Sequence, residues 1–289
     1  MLVPNFQYLA PETLAEACAL LGQYEPEAKV LAGGSDLIVK MKSGLLKPAY
    51  LISLKKLGEL KSIRREPGVG VIIGARVTHN ELVASPVLNL TFPSICSAAA
   101  SMAGYQIRNV GTVGGNLVNA VPSADLPPIL IALDTEVRLV SAAGERRLPL
   151  EKFFLGPGMT VLAPGEILAE LIVPEQQTTG SNYIKFGLRK ADALAVVGVA
   201  SAVKMLEGTI QDVHIALGAV APVPLRATEA EELLRGKNPT PALLEQAGKL
   251  AAAASKPITD IRGSAEYRRH LVAVLTRNSL EAAIAKGHV

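Results

Sequence analysis

Tryptophan is absent from this chain, aromatic residues make up 4% of it, and two cysteines and four histidines are all it has of the softer metal ligands. Each shortage excludes something. Cys18 and Cys96 lie in separate apolar segments, so they build neither a disulfide framework nor a structural zinc site, and a cluster needing four thiolates has no place here. They read as buried free thiols used as small hydrophobes. His79, His214, His270 and His288 show no metal-ligand spacing, so no metal is expected. Charge is scarce as well, at 19%, with 29 basic and 26 acidic residues interspersed to a net charge of +3. No basic stripe marks a nucleic-acid partner. The longest apolar runs, Ala193 to Val203 among them, fall short of the roughly 20 residues of a membrane span. The opening Met1-Leu2-Val3-Pro4-Asn5 lacks the basic and apolar regions of a signal peptide, and a cytoplasmic location is expected.

What remains is a globular composition, 49% hydrophobic over 289 residues, enough for two domains. Its most informative features are two glycine-rich loops. The first is Ala32-Gly33-Gly34-Ser35-Asp36-Leu37, and the second is Arg108-Asn109-Val110-Gly111-Thr112-Val113-Gly114-Gly115-Asn116. Glycine lets backbone N–H groups approach a ligand closely, and a helix opening behind such a loop favours an anion. Two such loops suggest a dinucleotide held from both sides, with a side chain at Gly33 or Gly114 blocking its pyrophosphate while leaving the strands intact. A plain β-turn is the bland alternative for the second loop.

Along the chain, Phe6 to Tyr8 reads as an edge strand, and Thr13 with Glu16 forms a capping-box pattern for a helix burying Leu14, Ala17, Cys18 and Leu21. Lys29 to Ala32 reads as a strand, followed by a helix capped by Ser35 or Asp36. Further strands are expected at Tyr50 to Leu54 and Gly70 to Gly74, and helices near Asn80 to Ala84 and Pro93 to Met102. Ser123-Ala124-Asp125 precedes an apolar helix over 126–133, with Pro127 and Pro128 in its first turn. Asp125 is therefore a helix cap or a ligand acceptor, and pattern alone leaves both open. The polar stretch from Pro174 to Ser181 fits a domain junction. Beyond it an antiparallel sheet is expected over 183–188, 195–205 and 210–220, then helices over 228–234, 241–254 and 265–285.

Together with Gln106-Ile107-Arg108-Asn109-Val110, Ser123-Ala124-Asp125, Tyr183-Ile184-Lys185-Phe186, Arg189 and Asp260-Ile261-Arg262-Gly263-Ser264, the two loops give a chain that closely resembles the FAD-binding medium subunit of the molybdenum hydroxylases. That family includes the flavoproteins of xanthine dehydrogenase and carbon monoxide dehydrogenase. The resemblance implies an α+β fold: a two-subdomain FAD-binding domain of the PCMH, or vanillyl-alcohol-oxidase, type over 1–176, split near residue 55, and a small C-terminal domain of antiparallel sheet plus helices over 181–289. By carry-over the first loop, extended to start at Val30 and Leu31 and run to Leu37, and the second, at Thr112, Gly114, Gly115 and Asn116, wrap the pyrophosphate and its flanking groups. Asp125 lies near the polar edge of the flavin, Leu168 against its rings, and Lys185 is a further edge contact, with a solvated strand lysine as the alternative.

The same resemblance implies non-covalent FAD, since neither loop offers a histidine or cysteine for attachment. Molybdopterin and [2Fe–2S] clusters are expected only on partners, a large and a small subunit in a dimer of heterotrimers. The cysteine-rich insertion of some members is excluded here. Electrons would pass from the partner's clusters to NAD⁺, oxygen, a quinone or another acceptor, without catalytic residues of this chain's own. The alternatives are a stand-alone MurB-like flavin reductase and a flavin-free assembly module.

Overall fold

The computed structural model describes residues 3–175 and 180–286, so the middle of the junction expected between Pro174 and Ser181 lies outside the described residues. The chain begins with three short strands, β1 (Gln7–Leu9), β2 (Ala28–Leu31) and β3 (Tyr50–Ser53), in a parallel sheet of order β1-β3-β2. Helix α1 (Leu14–Tyr24) connects β1 to β2 and buries Leu14, Ala17, Cys18 and Leu21, the face set by its apolar spacing. Its start departs from a reciprocal capping box. The Thr13 hydroxyl accepts from the Glu16 N–H, but the Glu16 carboxylate turns one residue further back and accepts from the N–H of Glu12.

Next comes an antiparallel sheet of β4 (Ile63–Glu66), β5 (Gly70–Gly74), β6 (Glu136–Ser141), β7 (Gly144–Pro149) and, beyond a small hairpin of β8 (Phe154–Gly156) and β9 (Met159–Thr160), β10 (Ile167–Pro174). The order β4-β5-β10-β6-β7 puts β10 in the centre, and its residues from Ile167 to Val173 are buried. The edges β4 and β7 carry Arg64, Arg65, Glu145, Arg146 and Arg147, charges that discourage further strand pairing. Glu170, buried in the central strand, is held by Arg64 at 3.0 Å and Arg138 at 2.8 Å.

Short helices pack on this sheet: α3 (His79–Ala84), α4 (Pro86–Thr91), α5 (Pro93–Ala100), α6 (Tyr105–Arg108), α7 (Val113–Val118) and α8 (Leu126–Ala132), while α2 (Leu37–Lys42) follows the first glycine loop. Helix α8 is buried along its whole length.

The final sheet is β11 (Gly180–Phe186), β12 (Val197–Leu206), β13 (Thr209–Gly218) and β14 (Leu225–Arg226), antiparallel throughout. Period two sorts its side chains. Val197, Val199, Val203, Val213, Ile215 and Leu217 pack in one core with α9 (Thr228–Leu234), α10 (Pro241–Ala254) and α11 (Ala265–Lys286). Ala200, Ala202 and Ala216 face the other way and join the core built around α8. Among the described residues no helix is long and apolar enough to cross a membrane.

Candidate functional site: a groove between two glycine loops

A groove of roughly 740 Å³ runs between the parallel sheet and the helices on the large sheet, and both glycine loops line it. The loops touch there. A Cβ built on Gly33 would stand 1.9 Å from the Val110 carbonyl oxygen, so only glycine lets the first loop press against the second. Gly34 turns the chain with φ +78°, a conformation that favours glycine.

The two loops differ in what they leave free. In the first, the N–H groups of Gly33, Gly34, Ser35, Asp36 and Leu37 have no acceptor among the described residues. Asp36 occupies the position before α2 without capping it, and the Ser35 hydroxyl donates to the Asp36 carboxylate, so the expected side-chain cap is not formed. These amides suit an oxyanion.

The second loop is mostly helix, α7, with the Thr112 hydroxyl accepting from the Gly115 N–H at its start. Its neighbouring amides serve the fold: Gly111 donates to Ile107, Val113 to Val77, Gly114 to Ala75 and Asn116 to Thr112. Gly114 also faces protein, since a Cβ there would sit 2.7 Å from that of Ala75 and 2.8 Å from its carbonyl oxygen. This corrects the expectation that a side chain at Gly33 or Gly114 would block a ligand alone. Each would first collide with the chain.

Of the residues expected at the site, Val30, Ala32, Gly33, Gly34, Ser35, Asp36, Leu37, Gly111, Thr112, Gly114, Gly115, Asn116, Asp125 and Leu168 line the groove. Leu31, Val113 and Lys185 do not. Val113 belongs to the main core, Leu31 lies in β2 beside β3, and Lys185 stands behind Asp125. Asp125 is no cap either, because its carboxylate instead accepts from the Tyr183 hydroxyl at 2.8 Å and from Lys185 Nζ at 2.8 Å. Burial pushes its pKa above the usual carboxylate range, while Lys185 and Tyr183 pull toward the charged form. The Tyr183 hydroxyl is itself driven up by burial and by the Asp125 charge, so it stays a donor.

Sequence reasoning missed several lining residues. Asn119 accepts from Lys40 Nζ at 2.6 Å across the groove wall, and Asp192 to Leu194 close the groove from the C-terminal sheet. His79 also lines it, a lone histidine with no motif around it. The Asn116 side-chain oxygen and His79 Nδ1 are buried without partners, as expected of a wall built to meet a polar ligand. Unclaimed amides, orphaned polar atoms and a large part-apolar cavity fit FAD, whose pyrophosphate needs donors and whose rings need apolar contact.

Residues 4–176 match the family model for the FAD binding domain in molybdopterin dehydrogenase, and residues 182–283 that for the CO dehydrogenase flavoprotein C-terminal domain. The chain is 37% identical to the carbon monoxide dehydrogenase medium chain of Hydrogenophaga pseudoflava, over 99% of both chains. It is 34% identical to the nicotine 6-hydroxylase medium subunit of Paenarthrobacter nicotinovorans, over 99% of this chain and 100% of that one. The solved carbon monoxide dehydrogenase of Hydrogenophaga pseudoflava superposes with a TM-score of 0.95 over 99% of both chains, at 37% identity. With a groove that fits FAD and family matches across both halves, this chain belongs to the FAD-binding medium subunits of the molybdenum hydroxylases.

Proposed function

We propose that the chain is the electron-transfer subunit of a three-part hydroxylase. A large partner would oxidise the substrate at molybdopterin, and a small partner would deliver the electrons through [2Fe–2S] clusters. They would leave from this chain's groove to NAD⁺, oxygen, a quinone or another acceptor. A cytoplasmic dimer of such heterotrimers is the assembly that goes with this reading.

Bound FAD supplies reversible one- and two-electron chemistry, and the protein supplies position and electrostatics. The first loop's amides hold the pyrophosphate with α2 behind them. Asp125, whose carboxylate accepts from Lys185 and Tyr183, lies in the groove wall and offers its remaining acceptor capacity to a ligand N–H or O–H. Leu168 offers an apolar contact, and Asp192 to Leu194 narrow the access of water. The observation that carries the reading is the row of unclaimed amides from Gly33 to Leu37 along the wall of one groove.

The test compares the copurified complex with and without this chain. Without it, the partners should still reduce an artificial one-electron dye on adding substrate, and should lose reduction of the physiological acceptor. If the chain alone, loaded with FAD, turned over NADPH and a substrate of its own, the reading would give way to a stand-alone reductase.

A further inference from the structure

His79 opens α3, where its backbone N–H donates to the Gly111 carbonyl at 3.1 Å and ties the helix to the second loop. The residue is 4% exposed and lines the groove, its Nδ1 is buried without a partner, and its Nε2 is given no hydrogen bond among the described residues either. Polar atoms this deeply buried are seldom left unpaired. The ring stands against Gly111, where a Cβ would lie 3.1 Å from His79 Cδ2 and 3.3 Å from Nε2. The missing side chain is what leaves that edge uncovered. Burial, helped by the Arg108 guanidinium, lowers the imidazole to about 4, so at physiological pH the ring is neutral, with one N–H donor and one lone pair.

The second loop needs such a donor. Its amides from Val113 to Asn116 are spent on the fold: Val113, Gly114 and Asn116 donate to backbone carbonyls and Gly115 to the Thr112 hydroxyl. A ligand held between the loops therefore meets a row of free amides on one side and, on the other, only the Thr112 N–H without an acceptor among the described residues, which a side-chain donor would supplement. We propose that His79 is a binding residue for the dinucleotide, its Nε2–H donating to an oxygen of the phosphate–ribose segment held between the two loops. This rests on the FAD reading above.

The test uses the full chain copurified with its partner subunits, stripped of flavin and titrated with FAD by quenching of flavin fluorescence. His79→Phe keeps the ring and loses the N–H; it should bind on the order of ten-fold more weakly, the usual cost of one hydrogen bond to a charged oxygen. His79→Gln, whose amide nitrogen reaches the ε position, should bind nearly as the parent does. ADP should compete with the same relative loss in His79→Phe, and riboflavin binding should be unaffected. Equal FAD affinity in His79→Phe and parent overturns the proposal, as does a loss seen with riboflavin but not ADP. Equal losses in both variants, matched by a lower apoprotein melting temperature, would assign His79 to packing and overturn it too. A parent that takes up no FAD would instead overturn the FAD reading itself.

Discussion

At Asp125, burial favours the neutral acid while a lysine and a tyrosine from a strand some sixty positions later hold the carboxylate. Lys185→Met should therefore leave a buried charge without its cation, at a cost of roughly 3–5 kcal/mol in urea unfolding. Adding Asp125→Asn to that variant should recover part of the loss, and an unchanged midpoint in the single variant would mean the pair contributes nothing. His79 makes a pH prediction of known sign. Its folded pKa, about 4, lies below the ordinary 6.5, so the unfolded chain takes up the proton first and stability falls as pH drops between those values. From this group alone the fold should be about 2 kcal/mol less stable at pH 5 than at pH 8. His79→Gln should flatten that slope in unfolding curves recorded across the range. Neither environment could be read from the sequence. Ser123-Ala124-Asp125 looks the same as a cap or as a site because Tyr183 and Lys185 come from a distant strand, and a single histidine carries no spacing.

Among the elements, the glycine loops were the legible part of the site, since both line one groove, but their division of labour was not. Glycine density marks close approach without saying whether ligand or protein does the approaching. The first loop meets the second through Gly33, and α7 meets Ala75 through Gly114. Gly114→Val should thus cost stability, on the order of 1–3 kcal/mol by overpacking, together with flavin content. Calorimetry and bound-flavin absorbance on the same sample check this, and a variant that lost flavin at full stability would return Gly114 to the ligand. Strands β4, β6, β7 and β10 were not among the expected ones: β4 and β7 are charged edges with little apolar alternation, whereas β6, with Val137 and Leu139 buried in alternation, and the apolar run of β10 did carry a strand signal. Helices α9, α10 and α11 were plain, because all three are rich in the helix formers alanine, leucine and glutamate, and α10 also buries Leu244, Ala247, Gly248 and Ala251 at helical spacing.

For the whole molecule, the main core does not stop at the junction near residue 176. Tyr183, Ala200, Ala202 and Ala216 of the last sheet share it with α8 and the large antiparallel sheet. Gly218 lets β13 press on α8, since a Cβ there would come within 2.6 Å of Pro128 Cγ, and His214 Nδ1 lies 3.2 Å from the Ala132 carbonyl oxygen. The expected outcome is one calorimetric transition for the intact chain rather than two. Two separated transitions would mean that the shared core is too weak to couple the halves. Composition could suggest two domains, but which face of the second sheet would be covered depends on α8, far away in sequence.

That shared face of alanines and glycines also bears on how such a chain can be recombined. The second sheet lies close to α8 because its side chains there have been kept small, so the fit belongs to two distant segments at once. A chimera joining the first 175 residues of this chain to the C-terminal half of a relative would import a surface shaped for another helix. Exchanging α8 along with the incoming sheet is the swap that should yield well-folded hybrids.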